Sequence, residues 1–267
     1  MTTNMEEAAT ESLVNGAASD ISHYHFSSEK WLKESGPVPQ EMALTIFVNG
    51  EELVTILCTP TKLNCLVIGF LYSEGIISDM RDIATMRVCE DDSLADIRLV
   101  NPEYKSPSRR TIGSGCGGGI SFETDLVKVN SDLAVTPSEV LSLMKQLQEQ
   151  AKLYRLCGGV HTSALCDTKN LLVVAEDIGR HNTLDKIVGE CLLTGVSSKD
   201  RLLLTTGRIS SEMLTKAISM ETPIVISRSS PTERSISLAQ ELGIALVGYV
   251  RGNRLSAYSH QERLQAT

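Results

Sequence analysis

No two cysteines in this sequence stand as C-x-x-C, although there are seven, at positions 58, 65, 89, 116, 157, 166 and 191. That absence removes the usual zinc-ribbon and thioredoxin-like readings. An odd number at irregular spacing in a chain of 267 residues also differs from a secreted disulfide framework and points to a reducing compartment. Nowhere is there an apolar run of about 18 residues, the least that a membrane-crossing helix needs. The first twenty residues are acidic and lack a basic start followed by an apolar stretch, so they do not read as a signal peptide. The expectation is a cytoplasmic protein with a disordered tail over residues 1–30 and no membrane partner. Positive charge is in deficit too: 33 Asp+Glu oppose 25 Lys+Arg, a formal charge of -8, which argues against a nucleic-acid binder that neutralises many phosphates. Any anion site has to be built locally.

What is present is an ordinary globular composition, 42% hydrophobic and 22% charged, in a chain long enough for one large domain or two small ones. From Met42 to Thr59, two apolar runs flank Asn49-Gly50, the pattern of a hairpin whose turn residues tolerate positive φ. Thr59-Pro60 then leads into a helix over LNCLVIGFLYSEG, with Gly75 as its stop. Residues 82–100 read as further strands. Between Pro102 and Gly119, Pro, Ser, Arg and Gly dominate, and GSGCGGG at 113–119 suits a flexible loop. Thr136-Pro137-Ser138-Glu139 is a capping box with proline in the first turn, predicting a helix that continues to Gly158. Beyond it, short apolar strands alternate with amphipathic helices, which predicts a mostly parallel sheet covered on both faces. Ser230-Pro231-Thr232-Glu233 repeats the cap-and-proline signature before one of those helices. The division that follows is a β-rich α+β subdomain with the cysteine loop over 31–120 and an α/β domain over 121–267.

In open α/β sheets, ligands bind beyond the carboxyl ends of strands, where free helix N–H groups favour anions. Four such loops carry arginine: Arg180, Arg208, Arg228, and Arg251 with Arg254. Guanidinium grips phosphate through two parallel hydrogen bonds, so on a net-acidic protein the set predicts a polyanion site, although any one arginine alone reads better as a solvated or ion-paired residue. Gly179, Gly207 and Gly252 would let backbone approach the ligand. His181 could bond a phosphate or cap structure, and Asp177 and Asp185 could orient it or the arginine. Cys116, flanked by glycines and following Arg109 and Arg110, is the thiol that neighbouring side chains cannot bury. It suits a sulfur carrier that must reach a donor and then an acceptor, and equally an incidental cysteine in a loop. The other six cysteines read as core residues, and Cys157, His161 and Cys166 match no common zinc spacing, so no metal is expected.

The segments GFLYSEGII at 69–77, GVHTSAL at 159–165, AEDIGRHNTLDKIVG at 175–189, TTGRISSEML at 205–214 and PIVISRSSPTERSISLA at 223–239 closely resemble the FdhD family of formate dehydrogenase accessory sulfurtransferases. The resemblance runs from the hairpin to the C-terminus. It implies a sulfur carrier that takes sulfur from a cysteine desulfurase as a persulfide and passes it to the bis(molybdopterin guanine dinucleotide) molybdenum cofactor before insertion into formate dehydrogenase. It also implies a three-layer α/β/α cytidine-deaminase-like fold and a homodimer. Residue by residue, the family's sulfur-bearing cysteine falls on Cys116, and its cofactor-binding stretch on Tyr249, Val250, Arg251, Gly252, Asn253 and Arg254. Many members have C-x-x-C in the loop, whereas Gly119 stands at the second position here, so a dithiol relay within the motif is excluded. Two rivals remain at this stage. One is a cofactor chaperone that moves no sulfur; the other is a zinc deaminase, which would need H-x-E and P-C-x-x-C, whereas His161 is followed by Thr162 and Ser163.

Overall fold

The computed structural model describes residues 17–104, 111–112, 120–121 and 127–265. Cys116, Arg109 and Arg110 lie outside the described residues, as does most of the glycine-rich segment. The chain opens on an antiparallel pair, β1 (Ala18–Ser27) and β2 (Lys30–Pro39). The sequence reading assigns residues 18–30 to a tail; here they form a strand, a turn and the start of a second strand. A four-stranded sheet follows, built of β3 (Met42–Val48), β4 (Glu51–Cys58), β5 (Ile83–Cys89) and β6 (Leu94–Leu99) in the order β4-β3-β6-β5. The β3–β4 turn is the expected one, with Asn49 at φ 53° and Gly50 at φ 89°. Helix α1 (Leu63–Ser73) covers this sheet through Leu66, Val67, Phe70 and Leu71. It starts at Leu63, where the expected apolar run begins, with Lys62 at φ 50° in the cap position, while the Thr59 hydroxyl accepts from Ile178 N instead of capping the helix. Two short strands, β7 (Thr111–Ile112) and β8 (Ile120–Ser121), pair with each other.

The remaining elements are α2 (Pro137–Gln150), α3 (Lys152–Cys157), β9 (His161–Cys166), β10 (Leu171–Asp177), α4 (Arg180–Thr194), β11 (Leu202–Thr205), α5 (Ser211–Ser219), β12 (Ile224–Ser227), α6 (Glu233–Leu242), β13 (Ala245–Arg251) and β14 (Arg254–Ser259). The Thr136 capping box starts α2 as its sequence predicts. The single helix expected to reach Gly158 breaks at Ala151, where the Glu176 carboxylate accepts from Leu153 N and Tyr154 N and so caps a second helix. Likewise α6 begins two residues beyond the signature at Ser230, with Thr232 as its cap and Ser235 closing the box.

Strands β10-β9-β11-β12-β13-β14 form one sheet. Its pairings correct the expectation of a mostly parallel sheet: only β11–β12 and β12–β13 are parallel, and hairpins β9–β10 and β13–β14 close the two sides. Strand β14 is absent from the sequence reading because its residues, RLSAYS, lack the apolar run that marks its neighbours. Alternation along the central strands feeds two cores. Leu165, Leu203, Val225 and Leu246 face α4, α5 and α6, while Ala164, Leu202, Leu204, Ile224, Ile226 and Val247 face α2. Three layers result, helices on both faces of a mixed sheet.

Candidate functional site

Because β9 runs antiparallel to both β10 and β11, strands β10, β11, β12 and β13 all point the same way. Their carboxyl ends therefore lie along a single edge; Arg180, Arg208 and Arg228 follow the first three ends, and Arg251 is the last residue of the fourth strand. The same edge receives the start of β9 at His161 and the start of β14 at Arg254. Six strands at about 4.8 Å spacing make this edge roughly 24 Å wide. It is a strip rather than a point.

The loops of the strip are tied together through the backbone. Ser227 Oγ donates to Gly207 O at 2.6 Å, Ile209 N to Ser230 O at 3.1 Å, and Tyr249 N to Ser229 O at 2.9 Å. Arg251 Nε donates to Arg228 O at 2.9 Å, and its guanidinium carbon stands 5.9 Å from the centre of the Tyr249 ring. Tyr249 itself has φ 53°. Gly207 sits in a tight place: a Cβ there would fall 3.0 Å from Arg180 Cβ and 3.4 Å from His161 Nδ1, so those side chains would have to give way. This close approach joins α4's first turn to the β11–α5 loop.

Helix α4 begins without a side-chain cap and with no acidic residue in its first turn; Arg180 and His181 occupy it instead. A cation such as Arg180 beside the positive end of a helix dipole adds to the pull on an anion there. Burial and the neighbouring Arg180 charge depress both imidazoles, His161 below its ordinary value and His181 to about 3. His181 Nε2 stands 3.2 Å from Glu212 Oε2 without the alignment of a hydrogen bond, and Arg228 Nε is likewise buried with no hydrogen-bond partner. Arg208, Arg251, Gly252, Asn253 and Arg254 are exposed, and Tyr249 is 45% exposed. Val250, by contrast, is 1% exposed with its side chain in the core, so it can offer a ligand its backbone alone.

Two acidic residues considered for ligand orientation serve other ends. Asp177 Oδ2 pairs with Lys186 Nζ at 2.6 Å and accepts from Thr59 N, while Oδ1 accepts from Gly179 N and Asn182 Nδ2. Asp185 Oδ1 accepts from Lys216 Nζ at 2.6 Å and from Ser73 Oγ at 2.8 Å. Much of EDIGRHNTLDK is thus a joint between the two halves of the chain. Sequence reasoning also missed a buried hydroxyl chain, Thr183–Ser163–Thr205, with separations of 2.7 and 2.9 Å, that continues to Gly207 N and to Arg180 O. The signal was a small hydroxyl residue inside β9 and another closing β11, buried strand positions where apolar ones are the rule.

Six cysteines are described. Burial raises the thiols of Cys58, to about 12, and Cys191, to about 11, and also those of Cys65, Cys157 and Cys166. Among the described residues, no three His, Cys, Asp or Glu side chains gather to hold a metal, and no helix is long and apolar enough to cross a membrane.

Residues 39–265 match the FdhD/NarQ family. The sulfur carrier protein FdhD of Bacillus subtilis is 42% identical over 250 residues, covering 88% of this chain and 95% of the relative. That of Listeria monocytogenes is 41% identical over 239 residues, 85% of this chain and 91% of the relative. Among solved structures, a protein from Desulfotalea psychrophila described as a formate dehydrogenase accessory protein superposes with a TM-score of 0.80 at 24% identity, over 93% of this chain and all of that one.

Proposed function

The chain belongs to the FdhD/NarQ family, and on that premise we propose that it is a sulfur carrier acting for formate dehydrogenase, with Cys116 as the carrier thiol and the arginine strip as the cofactor site. The Cys116 thiolate attacks the outer sulfur of a cysteine desulfurase persulfide, forming a new S–S bond, and the donor cysteine leaves as thiolate. The substrate that receives the sulfur is the bis(molybdopterin guanine dinucleotide) molybdenum cofactor. Its phosphates would be spread along Arg180, Arg208, Arg228, Arg251 and Arg254, with Tyr249, Gly252, Asn253 and His181 beside them.

The observation that carries this reading is the common edge: four arginine loops, separated in sequence, end together beside an uncapped basic helix start. An edge roughly 24 Å wide suits an extended polyanion better than a single phosphate. The raised thiols add support, since five of the six described cysteines are held protonated and are poor nucleophiles.

Intact-protein mass spectrometry after incubation with a desulfurase and cysteine tests the carrier role. The wild type is expected to gain one sulfur and Cys116→Ala none; an equal adduct on the variant removes Cys116 from the mechanism. Calorimetric titration with a guanine nucleoside diphosphate tests the strip separately. Affinity is expected to fall about tenfold or more in Arg228→Ala, while Cys116→Ala leaves it unchanged.

A further inference from the structure

Ser163, Thr183 and Thr205 have no exposed surface, so none of the three can touch a ligand. Ser163 and Thr205 face each other across the β9–β11 pairing, beside Ala164, Leu165, Leu203 and Leu204 of the core, and Thr183 comes from the first turn of α4. The hydroxyl chain they form has backbone at both ends. Gly207 N donates to Thr205 Oγ1 at 3.1 Å, and Ser163 Oγ donates to the same oxygen at 2.9 Å. Thr183 Oγ1 stands 2.7 Å from Ser163 Oγ and donates to Arg180 O at 2.7 Å. One end is thus the carbonyl of Arg180 itself, and the other is the amide immediately before Arg208.

The turn that carries Arg208 is held on its other sides as well. Thr206 N donates to Thr162 O at 2.9 Å, and Thr206 Oγ1 accepts from Thr162 N at 3.0 Å. Arg228 N donates to Thr205 O at 3.0 Å, and Ser227 Oγ to Gly207 O at 2.6 Å. These bonds tie the turn to β9 and to the end of β12, whereas α4 is reached through the hydroxyls and the close approach at Gly207. Valine has the shape of threonine and would fill the same space, but packing fixes orientation weakly, while a hydrogen bond weakens steeply outside a narrow range of angle and distance. Valine at position 205 would also leave the buried Gly207 N without its acceptor. Linked hydroxyls polarise one another, so a displacement at one end is felt at the other.

We propose that Ser163, Thr183 and Thr205 are positioning residues for the arginine strip: their hydroxyls hold the first turn of α4 and the turn before Arg208 in one fixed relation, so that Arg180 and Arg208 meet a single polyanion already aligned. The inference rests on the reading of the strip as the cofactor site and adds to it residues that never touch the cofactor. Loops set before binding leave less to be ordered on binding, and affinity rises accordingly.

Calorimetric titration of the full chain with a guanine nucleoside diphosphate tests it, at a temperature where circular dichroism shows each variant folded. Ser163→Ala, Thr183→Val and Thr205→Val should each weaken binding roughly 2–12-fold, the effect of ordering one rotamer-rich side chain anew. Thr183→Ser and Thr205→Ser, which keep the hydroxyl, should bind as the wild type does. Because the hydroxyls act as one unit, Ser163→Ala/Thr205→Val should lose no more than the weaker of its two single variants. Valine variants that melt lower but bind normally, or serine variants that bind no better than the valine ones, leave the chain a structural role and overturn the inference while the strip stands. A wild type that binds no nucleotide overturns strip and inference together. Amide exchange of the wild type, read by NMR, needs no variant. The Gly207 N–H should be protected before nucleotide is added and no more so afterwards; a Gly207 amide protected only with nucleotide bound overturns the inference even if every variant misfolds.

Discussion

Lys186 has no exposed side-chain surface, and its ammonium is met by Asp177 and by oxygens of Thr59, Thr61 and Glu176. Removing one partner of such a pair leaves the other charge in a low-dielectric site. Lys186→Met is therefore expected to lower unfolding free energy by about 3–5 kcal/mol in urea titrations. Lys199→Met, which breaks the exposed pair with Glu221, should leave the urea midpoint almost unchanged. His181 makes a second prediction. Its ordinary value is 6.5 and its folded value about 3, so between those limits the unfolded chain holds a proton that the folded chain lacks. Stability then falls as pH drops from about 6.5 toward 3, and His181→Asn should lose part of that acid sensitivity, on the order of 2 kcal/mol at pH 4.5. The arginines were legible in the sequence because loops after apolar strands are where sheets bind ligands. The roles of Asp177, Asp185 and Lys186 were not, since they have partners across the fold, at Thr59, Ser73 and Thr59 again, and no local pattern announces a pairing over more than a hundred residues.

At the scale of elements, the closest contact between the halves is the crossing of α1 and α4. A Cβ on Gly69 would fall 1.7 Å from Asp185 O, and one on Gly189 1.9 Å from Cys65 O. The two backbones touch where each helix has a glycine, and no side-chain rearrangement can relieve the clash that a methyl would create. Gly189→Ala is expected to cost about 3 kcal/mol or more and to lower the melting temperature by roughly 6–12 °C in a thermal scan. Most strands and helices were legible because their apolar spacing and caps act locally, as at Asn49-Gly50 and Thr136. The break at Ala151 was not, because its cause is the Glu176 carboxylate on another strand. Strand direction was equally hidden: alternation of strand and helix suggested crossovers, yet β9 returns through a hairpin and turns one neighbour on each side antiparallel.

For the molecule as a whole, the α1–α4 crossing, the Asp177–Lys186 pair and the Asp185–Lys216 pair lie on one seam between the N-terminal sheet and the three-layer body. Tyr72 and Leu192 pack against the cores on both sides of it. Scanning calorimetry is expected to show a single transition whose calorimetric and van't Hoff enthalpies agree; two resolved peaks would mean that the seam does not couple the halves. Each of these seam contacts is made by residues before 105 or after 126. Two polypeptides, one ending at 104 and the other starting at 127, should consequently recognise each other when synthesised together and co-purify through a tag on either, which makes this chain a natural substrate for split-protein complementation.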